Sequence, residues 1–231
     1  MSLGFTIQTM DSCNNILFSD EELVVLNKPA GVVAHRQRPH CIDAQQMAEE
    51  ELGIPLGSLK PIHRLDASTS GLMLFGRDKR SARYYCQLLQ NMRFQKSYLT
   101  IVEGRLENNN LTCQGNIKKT SKKSYVVSEG GQSARTVARP LELFYEHTFC
   151  AVSIVHGRKH QIRAHLAHAG FPILADTLYG AKEHNSLSHP LLHAAKLVIR
   201  PKKGPVRTFE APLPKQFQKI LKVLRQSDKR E

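Results

Sequence analysis

The sequence predicts an α+β fold, for three reasons. Segments with strand character come in antiparallel groups, helical segments fall between those groups, and the regular β-α-β alternation of a doubly wound sheet is missing. The 231 residues, 41% of them hydrophobic, suffice for one large core or for a domain with a small annex. With no internal repeat and no linker rich in Pro, Gly or Ser, a single compact domain over 1–231 is the simplest organisation. Its core is expected to run from about 20 to about 225, ahead of a charged tail.

Each element has its own signal. "EELVVLNKPAGVVAH" (21–35) reads as a strand, a Pro-Gly turn and a second short strand. "DAQQMAEEEL" (43–52) reads as a short helix capped by Asp43. The loop "PIHRLDASTSG" (61–71) leads into "GLMLFGR" (71–77), an apolar run with the length of a buried strand. In "DKRSARYYCQLLQNMR" (78–93), Ala82, Tyr85, Cys86, Leu89 and Met92 share one helical face and Asp78 can cap it. "KSYLTIVEGRL" (96–106) is β-branched and aromatic, hence a strand.

Residues 107–133 carry Asn, Gly, Ser and Lys, and predict a long loop or a loose hairpin. "ARTVARPLELFYEHTFCAVSIVHG" (134–157) alternates as two antiparallel strands joined near Glu146 and His147. "RKHQIRAHLAHAG" (158–170) predicts a helix ended by Gly170, with Ile162, Leu166 and Ala169 on one face. "HPLLHAAKLVIRP" (189–201) predicts a strand. "PKQFQKILKVL" (214–224) predicts a last helix striped by Phe217, Ile220, Leu221 and Leu224, and the charged tail beyond it is expected to fray.

Charge narrows the function. Lys plus Arg is 33 against 20 for Asp plus Glu, a formal net charge of +13. Such a charge attracts polyanions, nucleic acid first and an anionic membrane surface second, although a basic protein without a polyanion partner stays open. No apolar run reaches the roughly 20 residues needed to span a membrane, and no secretory leader stands at the N-terminus. Cys13, Cys41, Cys86, Cys113 and Cys150 are odd in number and far apart. That excludes a disulfide framework and a cysteine zinc site, and implies a reducing, cytoplasmic setting.

Several residues could carry chemistry. Arg64 and Asp66 put a cation beside a carboxylate, ahead of a rigid strand. The guanidinium favours the ionised acid, which can then serve as nucleophile or base. An ordinary loop salt bridge fits the same residues. Arg158, Lys159 and Arg163, joined by His156, His160, His165 and His168, occupy a stretch free of Asp and Glu from His147 to Ala175. That is a phosphate-binding surface or a solvated basic helix face. A metal on His160, His165 and His168 would lack both the H-E-x-x-H pattern and a nearby carboxylate. Tyr98 is a packing residue or a platform for an unpaired base. "KKTSKKS" (118–124) is a flexible basic loop that either follows a phosphate backbone or is merely solvated. The glycine-rich signatures of nucleotide hydrolysis, dinucleotide binding and the α/β-hydrolases are missing.

Five segments together resemble the RluA-type pseudouridine synthases. "HRLDASTSGLMLF" is similar to that family's H-R-L-D-x-x-T-S-G signature and the apolar strand after it. "LNKPAGVVAH", "KSYLTIVEG", "GRKHQIRAHLAHAGFPILADTLYG" and "LLHAAKLVI" resemble its other elements, in the family's order. The resemblance implies a mixed, largely antiparallel central sheet flanked by helices and loops, with a cleft across it. It implies isomerisation of uridine to pseudouridine in transfer or ribosomal RNA, by glycosidic bond cleavage, base rotation and C1′–C5 re-attachment. Asp66 would be the catalytic aspartate, and Arg163 would pair with it and keep it ionised. Tyr98 would stack on the target base, its hydroxyl assisting proton removal. Arg64 would occupy the gap left by the flipped uridine and hold its phosphate. Leu192 would wall the uracil pocket, and Arg158, Lys159 and His160 would meet the RNA.

The reaction implies no cofactor, metal or bound nucleotide, and a monomer is the default. Two departures from the family pattern stand out, Thr100 where Ala is usual and Ala175 where Gly is common. With the N-K-P element starting at Asn27, a preceding S4-type domain has no room, so a short member is expected. A non-catalytic RNA-binding or RNA-folding protein of the same fold is the alternative, and a metal-dependent RNA hydrolase is a more remote one.

Overall fold

The structure, a computed structural model, describes residues 15–34, 43–107 and 110–228. It is α+β: four helices pack on a mostly antiparallel sheet. The strands are β1 (Ile16–Ser19), β2 (Leu23–Lys28), β3 (Lys60–Pro61), β4 (Ser70–Gly76), β5 (Phe94–Glu103), β6 (Leu111–Lys119), β7 (Ser124–Val127), β8 (Gln132–Leu143), β9 (His147–Ile154), β10 (Leu192–Ile199) and β11 (Arg207–Glu210). They join in the order β1-β2-β4-β10-β5-β9-β8-β6-β7, with β3 on β4 and β11 on β10. The helices are α1 (Ala44–Glu51), α2 (Lys79–Gln90), α3 (Gln161–His168) and α4 (Lys215–Ser227).

Central strands are buried on both faces, which is why they read as near-continuous apolar runs. In β5, Tyr98 and Val102 point to one side, into a core shared with Ile162 and Leu166 of α3 and Ala44 and Ala48 of α1. Leu99 and Ile101 point to the other, against Phe217, Ile220 and Leu221 of α4. Leu23, Val25, Leu72 and Leu74 meet Tyr85 and Leu88 of α2 in a third cluster. The stripe read in α4 is a core face, although Leu224 is only partly buried, and so is that of α2 as far as Leu89; Met92 lies past the end of α2, left-handed and exposed. Asp43 and Asp78 cap α1 and α2 by accepting the Gln46 and Ser81 backbone N–H groups.

The junction that positions the site is the parallel pairing of β4 with β10, the only parallel pair among the named strands of the described residues. It spans only His193 with Ser70 and Ala194 with Gly71. Gly71 sits at φ 106°, and a Cβ there would lie 2.3 Å from the Ala194 carbonyl oxygen. The buried ring of His193 links the strands further: its Nδ1 lies 2.9 Å from Ser70 Oγ and its Nε2 3.3 Å from the Ala211 carbonyl. Burial lowers the His193 pKa to about 4, so the ring is neutral near pH 7 and can donate from Nε2 while accepting from Ser70. Because the two strands run the same way, the loops that precede them emerge at one edge. The loop before β4 carries Asp66, and β10 itself opens with Leu192 at that edge.

Several expectations change. The second strand within 21–35 is not formed among the described residues: Val33 makes only an isolated bridge to Asp43, and His35 lies outside them. Within 107–133, the hairpin is the alternative that forms, as β6–β7. Helix α3 starts at Gln161, not Arg158, because His160 is left-handed at φ 53°. Short edge strands β1, β3 and β11 carry too few residues to show a pattern in sequence. Helix α4 continues past Leu224, its Arg225 Nε donating to Glu142 at 2.7 Å, while residues 229–231 of the tail lie outside the description.

Gly71→Ala should therefore lose about 3 kcal/mol or more of stability, from positive φ and a backbone clash together. Urea denaturation checks this, with the same substitution at exposed Gly53 as the comparison for positive φ without a clash.

Candidate active site

A cleft of about 560 Å³ opens where the two loops, β5, β9 and α3 meet. Asp66, Arg64, Tyr98, Arg158, His160, Arg163 and Leu192 all line it. The structure thus brings together residues scattered from 64 to 192 in sequence. Lys159 is the predicted contact that stays out of the lining: its Nζ donates to the Thr120 and Ser121 carbonyls at the turn of the β6–β7 hairpin. It acts on the cleft as charge rather than as a free hand.

The Asp66 loop is held from behind. Leu65 is buried, and the Thr69 N–H donates to the Asp66 carbonyl at 3.0 Å. The Ala67 carbonyl accepts from the Gly31 N–H at 2.8 Å and from Lys28 Nζ at 3.1 Å. Lys28 is fully buried and also donates to the Pro29 and Val32 carbonyls. Desolvation pulls its pKa down to about 8, against the nearby Asp66 charge. The Asp66 side chain keeps 24% exposure. Burial raises its pKa above the usual carboxylate value, opposed by Arg163, Arg64, Lys159 and Lys28 in that order. The result is an acid less readily ionised than a surface aspartate, still held by four cations.

Arg163 does not make the expected ion pair with Asp66. Its Nε and Nη2 each donate to one oxygen of Asp176 at 2.7 Å, a buried two-pronged pair. Asp176 is the first carboxylate after the acid-free stretch, and that position was the available signal for it. Asp66 feels Arg163 through space, which leaves the carboxylate free of a fixed partner.

Tyr179 ties this pair to the cleft. Its ring lies 5.0 Å from the Arg163 guanidinium carbon. Its hydroxyl accepts the Ser124 N–H at 2.8 Å and lies 3.0 Å from His160 Nδ1. His160 Nε2 is 3.8 Å from Asp66 Oδ1. Burial and the cations Arg163 and Lys159 lower the His160 pKa to about 4, so near pH 7 the ring carries one proton. A proton on Nε2 faces a carboxylate, whereas a proton on Nδ1 would set two lone pairs against each other. The single Tyr179 hydroxyl proton has two acceptors in reach, His160 Nδ1 and the Ser124 carbonyl at 3.1 Å; when it goes to Nδ1, His160 presents Nε2–H to Asp66.

Tyr98 is 7% exposed on the same face as the cleft, and burial with Asp66 holds its phenol protonated. Leu192 sits at the start of β10, next to Leu191, whose carbonyl accepts the Thr100 hydroxyl at 2.8 Å. Thr100 therefore braces the Leu192 wall, which an alanine could not do. Arg64 is exposed, and its side chain makes no hydrogen bond or ion pair among the described residues. The Arg158 Nε donates to the Ser133 carbonyl at 3.4 Å. His165 faces away, its Nδ1 2.8 Å from Thr136 Oγ1, and His168 is exposed. Among the described residues, no three His, Cys, Asp or Glu side chains could hold a metal ion, and no helix could cross a membrane.

Residues 22–168 match the family described as RNA pseudouridylate synthase. The chain is 36% identical, over 86% of its length and 65% of the relative's, to an uncharacterized RNA pseudouridine synthase of Chloroflexus aurantiacus. It is 33% identical, over 91% of its length and 70% of the relative's, to ribosomal large subunit pseudouridine synthase C of Salmonella typhi. It thus spans about two thirds of these curated relatives. Among solved structures, human RNA Pseudouridylate Synthase Domain Containing 4 superposes with a TM-score of 0.75 at 25% identity, over 91% of this chain and 93% of that one.

Ala175, next to Asp176, takes φ 66°, a region that costs a side chain about 1 kcal/mol and glycine little. Ala175→Gly should stabilise the protein by about 0.5–1 kcal/mol in a thermal or urea melt.

Proposed function

The chain belongs to the RNA pseudouridylate synthase family, and on that premise we propose that it isomerises specific uridines in ribosomal or transfer RNA with Asp66 as the catalytic group. The observation that carries this reading is the setting of Asp66: a partly exposed carboxylate, without a fixed ion-pair partner, in a cleft lined by Arg64, Arg158 and Arg163. A uridine in RNA must leave its stack to be reached, at a cost of a few kcal/mol that backbone contacts offset. Cations around the cleft suit that need. The name of the Salmonella relative supports a ribosomal target.

Within this reading, Tyr98 offers its ring to the flipped base. The ring is better supported than the hydroxyl as the working part, because the phenol is held protonated. Leu192 closes the pocket, and Arg64, with no partner of its own, meets the displaced strand or its phosphate. Arg158 and His160 line the RNA path. Arg163, fixed by Asp176, supplies a steady positive potential instead of a hydrogen bond to Asp66. One catalytic domain, acting as a monomer in the reducing cytoplasm without a cofactor, is the organisation that goes with it. The described Cys86, Cys113 and Cys150 are free thiols.

Tritium release from RNA carrying 5-tritiated uridine tests the activity, and pseudouridine mapping of cellular RNA with and without the protein identifies the target. Asp66→Asn should lower the rate by on the order of 10³-fold or more while RNA binding survives. An Asp66→Asn protein that works at near wild-type rate sinks the mechanism, and a wild-type protein that binds RNA but releases no tritium is a binder.

The relay predicts a pH effect. Activity needs ionised Asp66, so the rate falls as pH drops through its raised pKa. Tyr179→Phe removes the donor to His160 Nδ1, weakens the Nε2–H facing Asp66 and should move that acid limb upward by about 0.5 pH unit. KM should hold. A pH–rate profile of the two proteins measures it, and an unmoved limb refutes the relay.

A further inference from the structure

Lys96 is the cation that the cleft contains and the reading above leaves unused. It begins the inner part of β5, two residues before Tyr98, so both side chains leave the same face of the strand. Along the strand that spacing is about 7 Å. Its cross-strand neighbour is Ile154 of β9, which also lines the cleft. The ammonium makes no hydrogen bond or ion pair among the described residues. Asp66 is not its counter-ion, since the cations acting on Asp66 are Arg163, Arg64, Lys159 and Lys28. It lies against the turn after β9: a Cβ on Gly157 would fall 3.2 Å from Lys96 Nζ.

A second unsatisfied group sits beside it. His63 Nε2 is buried with no hydrogen-bond partner, and the same is true of His156 Nδ1; both rings line the cleft. Lys96 is close enough to His63 to disfavour its charged form. A desolvated ammonium and two idle imidazole edges together cost stability unless something occupies them. A phosphate oxygen answers the ammonium, whereas neutral His63, which gives its ring proton to the Arg64 backbone, offers Nε2 as an acceptor to a hydroxyl of the adjoining sugar.

We propose that Lys96, with His63, forms a subsite for the phosphodiester next to the uridine held on Tyr98. The inference rests on the reading of the cleft as an RNA site and names a contact within it. Lys96 lies about 7 Å along β5 from Tyr98 on the same face, so an anion bound to it is a near neighbour of a base on that ring. RNA offers no other anion there.

Burial lowers the Lys96 pKa to about 8, so in the free protein the charge is lost as pH rises through that value. The titratable and charged groups facing it are His63 and Arg64 from the loop before β4, and His156, Arg158 and His160 from the loop after β9, with Asp66 and Arg163 beyond. His63 and His160 titrate well below pH 7, at about 3 and about 4, and stay neutral across the range tested.

The test is equilibrium binding of a short oligouridylate, in which every register presents a uridine, across a salt series. Lys96→Met should weaken binding about tenfold near pH 7 and flatten the slope of log K against log salt by about 0.7, the signature of one lost phosphate contact on a single strand. Lys96→Arg should keep the slope. Above pH 8 wild-type protein loses the Lys96 charge, and Lys28, which also titrates near 8, is common to both proteins, so the wild-type and Lys96→Met slopes should converge there. His63→Leu removes a neutral acceptor and should lower affinity without changing the slope. Wild-type affinity and slope in Lys96→Met overturn the subsite. So does weaker binding with an unchanged slope, which is packing damage, and an unchanged affinity in His63→Leu removes that residue from it. Tritium release separates the two levels. If release is intact but the slope is indifferent to Lys96, only the subsite fails. If the slope depends on Lys96 but no tritium is released, the isomerase reading fails and the subsite stands.

Discussion

The close approach of two parallel strand starts is the constraint on which the site depends. Strands β4 and β10 touch over only two residue pairs, at Ser70 and Gly71, and the contact exists because Gly71 has no side chain. Everything else in the sheet is antiparallel and would tend to place consecutive loops at opposite edges. The parallel junction sets the Asp66 loop and the Leu191–Leu192 turn side by side, over the middle of β5. His193 and Ser70 then lock the two strands by a buried hydrogen bond, so the junction is held by side chains as well as by backbone.

Around that junction the protein manages one exposed-enough carboxylate in a desolvated, basic place. Burial pushes toward the neutral acid and four cations push back. None of the four is spent on a direct bond to the carboxylate. Arg163 is fixed on Asp176, Lys159 on the carbonyls of the hairpin turn, and Lys28 on three carbonyls behind the loop. Arg64 stays exposed. Their charge is present without their hydrogen bonds, so Asp66 keeps a lone-pair face open to a substrate. Tyr179 connects the pieces: its ring meets Arg163, and its hydroxyl joins the backbone of β7 to His160.

Local signals were good guides where they were strong. The caps Asp43 and Asp78, the apolar run of β4 and the stripes of α2 and α4 needed no tertiary information. They failed where a single backbone angle ruled. His160 in the left-handed region shortens α3, and nothing in "RKHQIR" announces it. The edge strands β1, β3 and β11 are too short to carry a period. The hairpin β6–β7 is rich in turn-forming residues and is held partly by α3 and Tyr179, which local pattern cannot see.

The sequence by itself determined the fold class, the basic character and the kinship of the motifs, and that kinship marked Arg64, Asp66, Tyr98, Arg163 and Leu192, which line the cleft, while it also marked Lys159, which does not, and passed over Lys96. Tertiary structure decided the partnerships. Arg163 chooses Asp176 over Asp66 because the two-pronged geometry is available on the turn after α3. Thr100, a departure from the family pattern, proves to brace Leu191. Lys96 proves to be a cation without an anion. Such facts depend on distances between residues far apart in the chain, and an ion pair or its absence is a matter of ångströms that composition and periodicity do not encode.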